Sequence, residues 1–260
     1  MKNYGFQQDT LAPEDYVFGG KVQLGGEVLQ PDGQWDEYLP DVEIQNLNGI
    51  EPFACVSFAT LNIVEILERR LYGRTQNWSD RFLATISGTK GKNGNTPKTV
   101  GQALRDNGCP PELDWAFDEK TNTYDKFYTD ITKQIKTLAL AFKAEYDFGY
   151  QYIPSDYDAI INQLQYSPVG FSVYAWTSED GIYYRPQGTT DRHFVACYGY
   201  EKNRYWKIFD SYSNNGTVLK KVRWNSLPMQ ATRYTLHRQI VVESAWDRFV
   251  KLLRALLGYA

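Results

Sequence analysis

The hydrophobic pattern of this chain changes its period near Pro168, and this change constrains the fold more than any other feature. Before it, apolar residues recur at helical spacing, most clearly from Phe53 to Gly73. After it, short runs of β-branched and aromatic residues are bounded by Gly, Asn or Asp. Helices followed by strands, rather than an alternation of the two, predict an α+β fold with two segregated halves and a cleft between them.

The helical half is marked by one unusually apolar segment and by several helix starts. Residues 56–71 are apolar on nearly every face, and Gly73 offers a C-terminal stop, so we expect a buried helix. Further helices are predicted to begin at Ser79-Asp80, at Thr96-Pro97 and within Ser155–Asp158, because each carries N-cap chemistry.

The second half is predicted to be a curled antiparallel sheet. Its expected strands are 169–176, 182–185, 193–200, 205–209 and 218–224. Beyond them, apolar residues within Ser244–Tyr259 recur at three- and four-residue spacing and predict an amphipathic helix. Two roles stay open for that helix: it packs back onto the sheet half, or it binds a protein partner or a second copy of the chain.

Composition excludes several functional classes. The 260 residues carry 28 basic and 31 acidic side chains, a formal charge of −3, so we expect no nucleic-acid partner. Three cysteines form an odd, sparse set that favours free thiols over disulfides. The N-terminus leads into polar residues, and no stretch of about 18 apolar residues occurs, so we expect cytoplasmic synthesis without a signal peptide or transmembrane segment.

One cysteine and one histidine have the placement of a catalytic pair. Cys55 lies at the start of the buried helix, where backbone N–H groups and the helix dipole are expected to lower a thiol pKa. A lone cysteine there is more often a core residue. However, His193, one of only two histidines, follows 138 residues later, within the window of about 130–150 residues expected for one class of Cys/His nucleophile sites.

Six segments of the chain match the motifs of one enzyme family, and they occur in the same order along the sequence. They are Gln34–Tyr38, Phe53–Ala59, Asn93–Pro97, Pro168–Val173, His193–Tyr200 and Lys207–Tyr212. In that order they resemble the mature N-terminal stretch, nucleophile motif, substrate-binding turn, Gly-Pro-Val strand, histidine strand and Asn-Ser-Trp segment of the papain-like cysteine peptidases. The resemblance covers residues 34–225.

The resemblance implies a two-lobed fold. A helical lobe of about residues 50–150 would pack against an antiparallel, barrel-like β lobe of about residues 165–225. Residues 1–33 would form an N-terminal extension, and residues 226–260 a C-terminal extension that includes the amphipathic helix.

The resemblance also implies the roles of individual residues. Cys55 would be the nucleophile and His193 the base, while Asp210 stands where most of the family has Asn. Gly94 and Asn95 match the substrate-binding turn. Tyr212 replaces the Trp that shields the histidine's hydrogen bond and would also contact substrate.

The amide that stabilises the oxyanion is less obvious. The family places Gln six residues before the nucleophile, but here that position is Gly49. Gln45 could reach the site through a loop insertion, and Asn48 is the second candidate. We expect Gln45 to fill the role.

The implied activity is hydrolysis of a peptide or protein substrate through an acyl-enzyme, without a metal or cofactor. Two alternatives stay open: an amide hydrolase that cleaves peptidoglycan, and a structural or assembly protein that retains the fold. Cys109 and Cys197 lack metal-ligand spacing and are predicted to be structural thiols. His237 has no motif around it and is predicted to be a surface or packing residue.

Overall fold

In the computed structural model the described residues are 5–12, 15, 27–90, 93–214 and 217–239. Their helices are α1 (Cys55–Tyr72), α2 (Asp80–Ile86), α3 (Pro97–Asn107), α4 (Tyr124–Phe127), α5 (Lys133–Glu145) and α6 (Tyr157–Leu164). Their strands are β1 (Tyr146–Ile153), β2 (Val169–Tyr174), β3 (Thr177–Glu179), β4 (Ile182–Tyr184), β5 (Arg192–Glu201), β6 (Tyr205–Asn214), β7 (Thr217–Arg223) and β8 (Ala231–Arg238).

Helix α1 is the buried centre of the molecule. Its side chains are buried from Cys55 to Glu68, and it packs against β5, β6 and β8. Gly73 ends it in the left-handed conformation, with φ 65°, which a residue without Cβ adopts at little cost. The predicted helix and its stop are confirmed.

The predicted helix starts are confirmed as well, each by a capping hydrogen bond. The Ser79 hydroxyl accepts from the backbone N–H of Phe82 at 3.2 Å and begins α2. Thr96 caps α3, with Pro97 as its first residue. Asp156 caps α6 by accepting from the N–H of Ala159 at 2.8 Å. Each cap satisfies an N–H group that the helix itself leaves without a partner.

The strands form one eight-stranded sheet in the order β1-β8-β2-β5-β6-β7-β4-β3. Every neighbouring pair is antiparallel except β4 and β7. The α+β class and the predicted strands are therefore confirmed. The expected barrel-like closure is not confirmed, because the sheet is open: β1 and β3 are its edges, and β3 has only three residues, all exposed.

Three strands of this sheet, β1, β3 and β8, were not expected from the sequence. β8 lies between β1 and β2, with Tyr150 opposite Tyr234 and Phe171 opposite Ala231. The pairing of β8 with β1 and β2 joins residues at least 60 positions apart along the chain, and a local hydrophobic pattern does not reveal such a partner.

Some expectations lie outside the described residues. The predicted helix within Ser244–Tyr259 is one of them. Within the described part of the chain, no helix combines the length and hydropathy needed to cross a bilayer.

Candidate active site

Cys55 is the first residue of α1 and is 1% exposed. The backbone groups of Phe194 and Val56 lie near its thiol and lower the thiol pKa. Phe194 follows His193 directly on β5, so the packing of α1 against this strand brings the cysteine beside the histidine's own strand.

Burial raises the pKa of the Cys55 thiol well above its usual value. The negative charges of Glu51 and Asp210 act in the same direction, whereas the N–H groups of Phe194 and Val56 lower it. The sequence predicted a lowered pKa from the helix N-terminus, but here desolvation outweighs that effect. In this closed arrangement the thiol is protonated.

His193 and Asp210 form a buried hydrogen-bonded pair on the neighbouring strands β5 and β6. Imidazole Nε2 lies 2.7 Å from carboxylate Oδ1, and the two residues are 3% and 1% exposed. Burial alone would raise the pKa of Asp210, but the charges of His193 and Lys220 and their hydrogen bonds outweigh it, and the pKa falls to about 2. The carboxylate is therefore ionised and can orient the imidazole.

Aromatic rings enclose this pair. The Tyr212 ring stands edge-on to the His193 ring at 6.1 Å between centroids, consistent with its predicted shielding position. The Trp176 ring makes a similar contact at 6.2 Å, which the sequence analysis did not foresee. Trp176 lies two residues after the end of β2, where a strand pattern alone gives no reason to single it out.

The two candidates for the oxyanion amide lie in different places. Gln45 is fully buried, and its backbone N–H donates to the Ser211 carbonyl at 2.7 Å, next to Asp210. The Asn48 amide instead donates to the carbonyls of Asp118 and Thr121, at 2.9 and 3.4 Å. Of the two residues, Gln45 is the one whose backbone is bonded to the residue next to Asp210.

A carboxyl group that the sequence analysis did not single out holds this amide. Glu51 Oε1 accepts from Gln45 Nε2 at 3.0 Å and from the backbone N–H of Phe53 at 2.9 Å. Burial raises the pKa of Glu51, while the Phe53 and Gln45 donors, the charge of His193 and the Tyr212 hydroxyl lower it. The Glu51-Pro52 segment reads as loop in the sequence, and nothing local marks the glutamate as part of a site.

The predicted substrate-binding turn at Gly94 and Asn95 is already occupied. The Asn95 side chain holds the turn by donating to the Ser87 carbonyl and the Thr89 hydroxyl, both at 3.0 Å. Its backbone N–H donates to the Gly5 carbonyl, and its own carbonyl accepts from the Gln7 N–H, both at 2.7 Å. The chain's own N-terminal residues therefore take the backbone groups that the sequence assigns to a substrate.

Phe6 completes this cover. It is 1% exposed, and its ring stacks on Phe194 with the centroids 5.5 Å apart. Gly5 beside it has φ +109°, and a Cβ there would lie 1.9 Å from the Phe53 carbonyl oxygen. Residues 5–7, which we call the N-terminal strap, therefore lie against Phe53, Asn95 and Phe194.

The other candidate residues lie apart from this arrangement. Cys109 and Cys197 are fully buried, and their thiols donate to the carbonyls of Ser79 and Gly199. His237 is exposed on β8. Across the described ranges no cluster of His, Cys, Asp and Glu has the arrangement of a metal site.

Solved structures similar to this one are cysteine proteases. Xylellain from Xylella fastidiosa is 18% identical, with a TM-score of 0.64 over 89% of this chain and 95% of that chain. Bromelain from Ananas comosus, solved with the E64 inhibitor, is 16% identical, with a TM-score of 0.61 over 78% and 98%. A Carica candamarcensis cysteine protease is 18% identical, with a TM-score of 0.60 over 78% and 96%.

No protein-family model matches the sequence, and no curated protein sequence matches it either. The structural likenesses therefore establish the fold, at identities too low to carry an activity across. The chain has the fold of the papain-like cysteine proteases.

Proposed function

We propose that this chain is a papain-like cysteine peptidase that hydrolyses peptide bonds through a Cys55 acyl-enzyme. One observation carries the proposal. His193 and Asp210 form a buried hydrogen bond of 2.7 Å, and helix α1, which begins at Cys55, packs against the strand that carries His193. These three residues have the chemistry of a nucleophile, a base and a group that orients the base.

The first half of the reaction forms the acyl-enzyme. Since Asp210 holds Nε2 of His193, Nδ1 is the ring nitrogen that takes the thiol proton as Cys55 Sγ attacks the scissile carbonyl carbon. The Cys55 backbone N–H and the Gln45 amide hold the resulting oxyanion. His193 then gives its proton to the amine nitrogen, the C–N bond breaks and the amine leaves.

The second half regenerates the enzyme. Water attacks the thioester carbonyl while His193 removes one of its protons, and the same two donors hold the second oxyanion. The C–S bond then breaks, the acid product leaves, and His193 returns its proton to the Cys55 sulfur.

Glu51 and the N-terminal strap fit this scheme. An amide nitrogen carries two hydrogens, so the bond from Gln45 to Glu51 uses one and fixes the direction of the other. A peptide substrate must displace Gly5 and Gln7 from Asn95 before it can pair with that backbone. The structure therefore corresponds to a closed state in which the thiol is protonated.

The test is a broad peptide-substrate screen on the purified protein, with Cys55→Ala and Cys109→Ala as matched variants. We expect the first to abolish cleavage, because no nucleophile is left, and the second to retain it, because Cys109 lies apart from the site. Equal cleavage by the wild type and Cys55→Ala would reject the proposal. Cleavage confined to peptidoglycan stem peptides would select the alternative amide-hydrolase function.

A further inference from the structure

Lys220 is a buried cation at the back of the site. It lies on β7, where residues 217–223 alternate between exposed and buried, and it occupies an inward position between Val218 and Val222. The residue is 3% exposed. A lysine is almost never buried to this extent unless it is paired.

The partners of Lys220 belong to the site. Its ammonium group donates to Asp210 Oδ2 and to the Tyr212 carbonyl, the latter at 2.8 Å. It also lies 5.6 Å from the ring centre of Trp176 and 5.4 Å from that of Tyr183. The rings exclude water from the ion pair and attract the cation through their π faces.

The two oxygens of Asp210 therefore serve different groups. Oδ1 accepts from His193 Nε2 and from the Tyr212 N–H, at 2.7 and 2.9 Å, while Oδ2 accepts from Lys220. Geometrically, the carboxylate bridges the imidazole and the ammonium group.

This bridge changes the electrostatic role of the carboxylate. An isolated buried carboxylate stabilises the protonated form of a neighbouring imidazole, because opposite charges attract strongly where water is excluded. An ammonium group on the far oxygen opposes that effect. The unit charges of Asp210 and Lys220 sum to zero.

We propose that Lys220 is a positioning residue of the site, which cancels the charge of Asp210 so that His193 is oriented by a carboxylate yet faces a pair with no net charge. The peptidases that this chain resembles mostly use a neutral Asn at the position of Asp210. The Asp210–Lys220 pair reproduces that neutrality with two ionised groups. The inference rests on the proposed function for its catalytic meaning, but its electrostatic content can be measured without a substrate.

The experiment is an NMR titration of the histidine ring signals in the Cys55→Ala protein. The chain has only two histidines, and His237→Asn assigns the remaining signal to His193. Four forms are compared: the parent, Lys220→Met, Asp210→Asn and the double variant. Removing the nucleophile separates the measurement from activity and from coupling to the thiol.

The proposal predicts opposite shifts in the single variants and restoration in the double one. Lys220→Met leaves the carboxylate uncompensated, so the His193 titration midpoint rises by about 1 pH unit or more. Asp210→Asn leaves the ammonium uncompensated, so the midpoint falls by about as much. The double variant returns to the parent value.

A parallel set with Cys55 intact reports activity. Peptide cleavage by Asp210→Asn is expected to fall about 10- to 100-fold, and adding Lys220→Met should recover at least about tenfold. A role of Lys220 in folding alone predicts no such recovery. Lys220→Arg, which keeps the charge, should leave the His193 midpoint unchanged even if the larger side chain lowers stability.

Two results would overturn the inference. One is a His193 midpoint common to all four forms. The other is a double variant no more active than Asp210→Asn. Failure of the proposed function gives a different result: a wild-type protein that cleaves no peptide, while the NMR midpoints still shift as described.

Discussion

Two groups of carboxyls lie against helix α1, and their pKa values are shifted in opposite directions. At its N-terminus, Asp210 with its partners His193 and Lys220 forms what we call the balanced cluster. Further along the helix, Glu65, Asp80 and Glu112 form the acid cluster, in which Glu65 and Asp80 are both 2% exposed. Burial raises the pKa of all three acid-cluster groups, that of Glu112 to about 8, whereas the pKa of Asp210 falls to about 2.

The difference between the two clusters lies in the charged groups near each carboxyl rather than in its burial. Desolvation is the largest influence on every one of these groups. In the balanced cluster the interactions with His193 and Lys220 outweigh desolvation, while in the acid cluster the neighbours that act on Asp80 are Glu43, Glu65 and Glu112, which reinforce it. The Asp210 carboxylate beside the imidazole therefore depends on its ion pair with Lys220 to stay ionised. In the acid cluster, where the carboxyl of Asp80 has acidic neighbours instead, its pKa is raised.

Each cluster has a buried cysteine beside it. Burial raises the pKa of both thiols. Asp210 raises that of Cys55 further, and Asp80, Glu112 and Glu65 raise that of Cys109 further. Backbone groups lower the pKa of each thiol in turn: Ser79 acts on Cys109, and Phe194 and Val56 act on Cys55. The two thiols can therefore report on the two environments separately.

The largest expected effect comes from making one substitution in both clusters. Asp210→Asn leaves Lys220 buried without its counter-charge, which costs about 3–5 kcal/mol of unfolding free energy. In a chain of this size that lowers the melting temperature by roughly 10 °C. Burial and the neighbouring acids raise the pKa of Asp80, so Asp80→Asn replaces a carboxyl whose charged form is disfavoured and at pH 7 should change stability by less than about 1 kcal/mol or increase it.

Calorimetry of the two variants checks this prediction. Equal destabilisation by Asp210→Asn and Asp80→Asn would contradict the opposite pKa shifts of the two carboxyls.

A second effect is the pH dependence of stability, where the clusters act in opposite directions. The pKa of Asp210 falls from 3.8 to about 2 on folding, so its contribution is present above pH 3.8 and is lost as pH falls through about 2. The pKa of Glu112 rises from 4.5 to about 8, so its contribution is present below pH 4.5 and is lost as pH rises through about 8. Stability should therefore be highest in mild acid.

Glu112→Gln removes the contribution of Glu112 to the pH dependence of stability. A neutral amide cannot ionise, so the decline in melting temperature between pH 5 and pH 8 should become shallower, while the loss of stability below pH 3 stays. Glu119→Gln, at an exposed position, is the control and should leave the whole profile as in the wild type. A Glu112→Gln profile parallel to the wild type would contradict the assigned protonation.

The smallest expected effect concerns the N-terminal strap, which covers only the balanced cluster. Gly5→Ala places a Cβ where it would lie 1.9 Å from the Phe53 carbonyl, at a φ that side chains rarely adopt, so the strap should leave the site. Loss of about 1.4 kcal/mol of closure would raise the open fraction, and with it the alkylation rate of Cys55, by about tenfold.

Mass spectrometry after iodoacetamide treatment measures this rate. Cys109 should react no faster than in the wild type, and Gln8→Ala, at an exposed position of the same segment, should leave Cys55 unchanged. Faster alkylation of both thiols would mean general loosening of the fold instead of release of the strap.

Features that depend on local chemistry could be predicted from the sequence. The start of α1 at Cys55, its stop at Gly73 and the caps at Ser79, Thr96 and Asp156 all follow from residues within a few positions. The spacing of Cys55 and His193, together with the resemblance, also predicted that the helix and the strand that carry them lie against each other.

What could not be predicted depends on contacts between distant segments. Neither the insertion of β8 between β1 and β2 nor the strap's pairing with Asn95 leaves a local pattern. The raised pKa of the Cys55 thiol results from burial by other elements, which a helix N-terminus does not reveal. Lys220 is different, because the alternation of Val218, Lys220 and Val222 marks it as inward-facing, and an inward lysine requires an acidic partner.

The measurement that most directly tests the central claim is covalent labelling by an epoxide at pH 6, mapped by mass spectrometry. It is made on the wild type and on His193→Ala. If Cys55 is a nucleophile served by His193 and Asp210, the label falls on Cys55 in the wild type, is lost with His193, and spares Cys109 and Cys197 in both proteins. Labelling of Cys109 or Cys197 at a comparable rate, or labelling of Cys55 that does not depend on His193, would contradict the account.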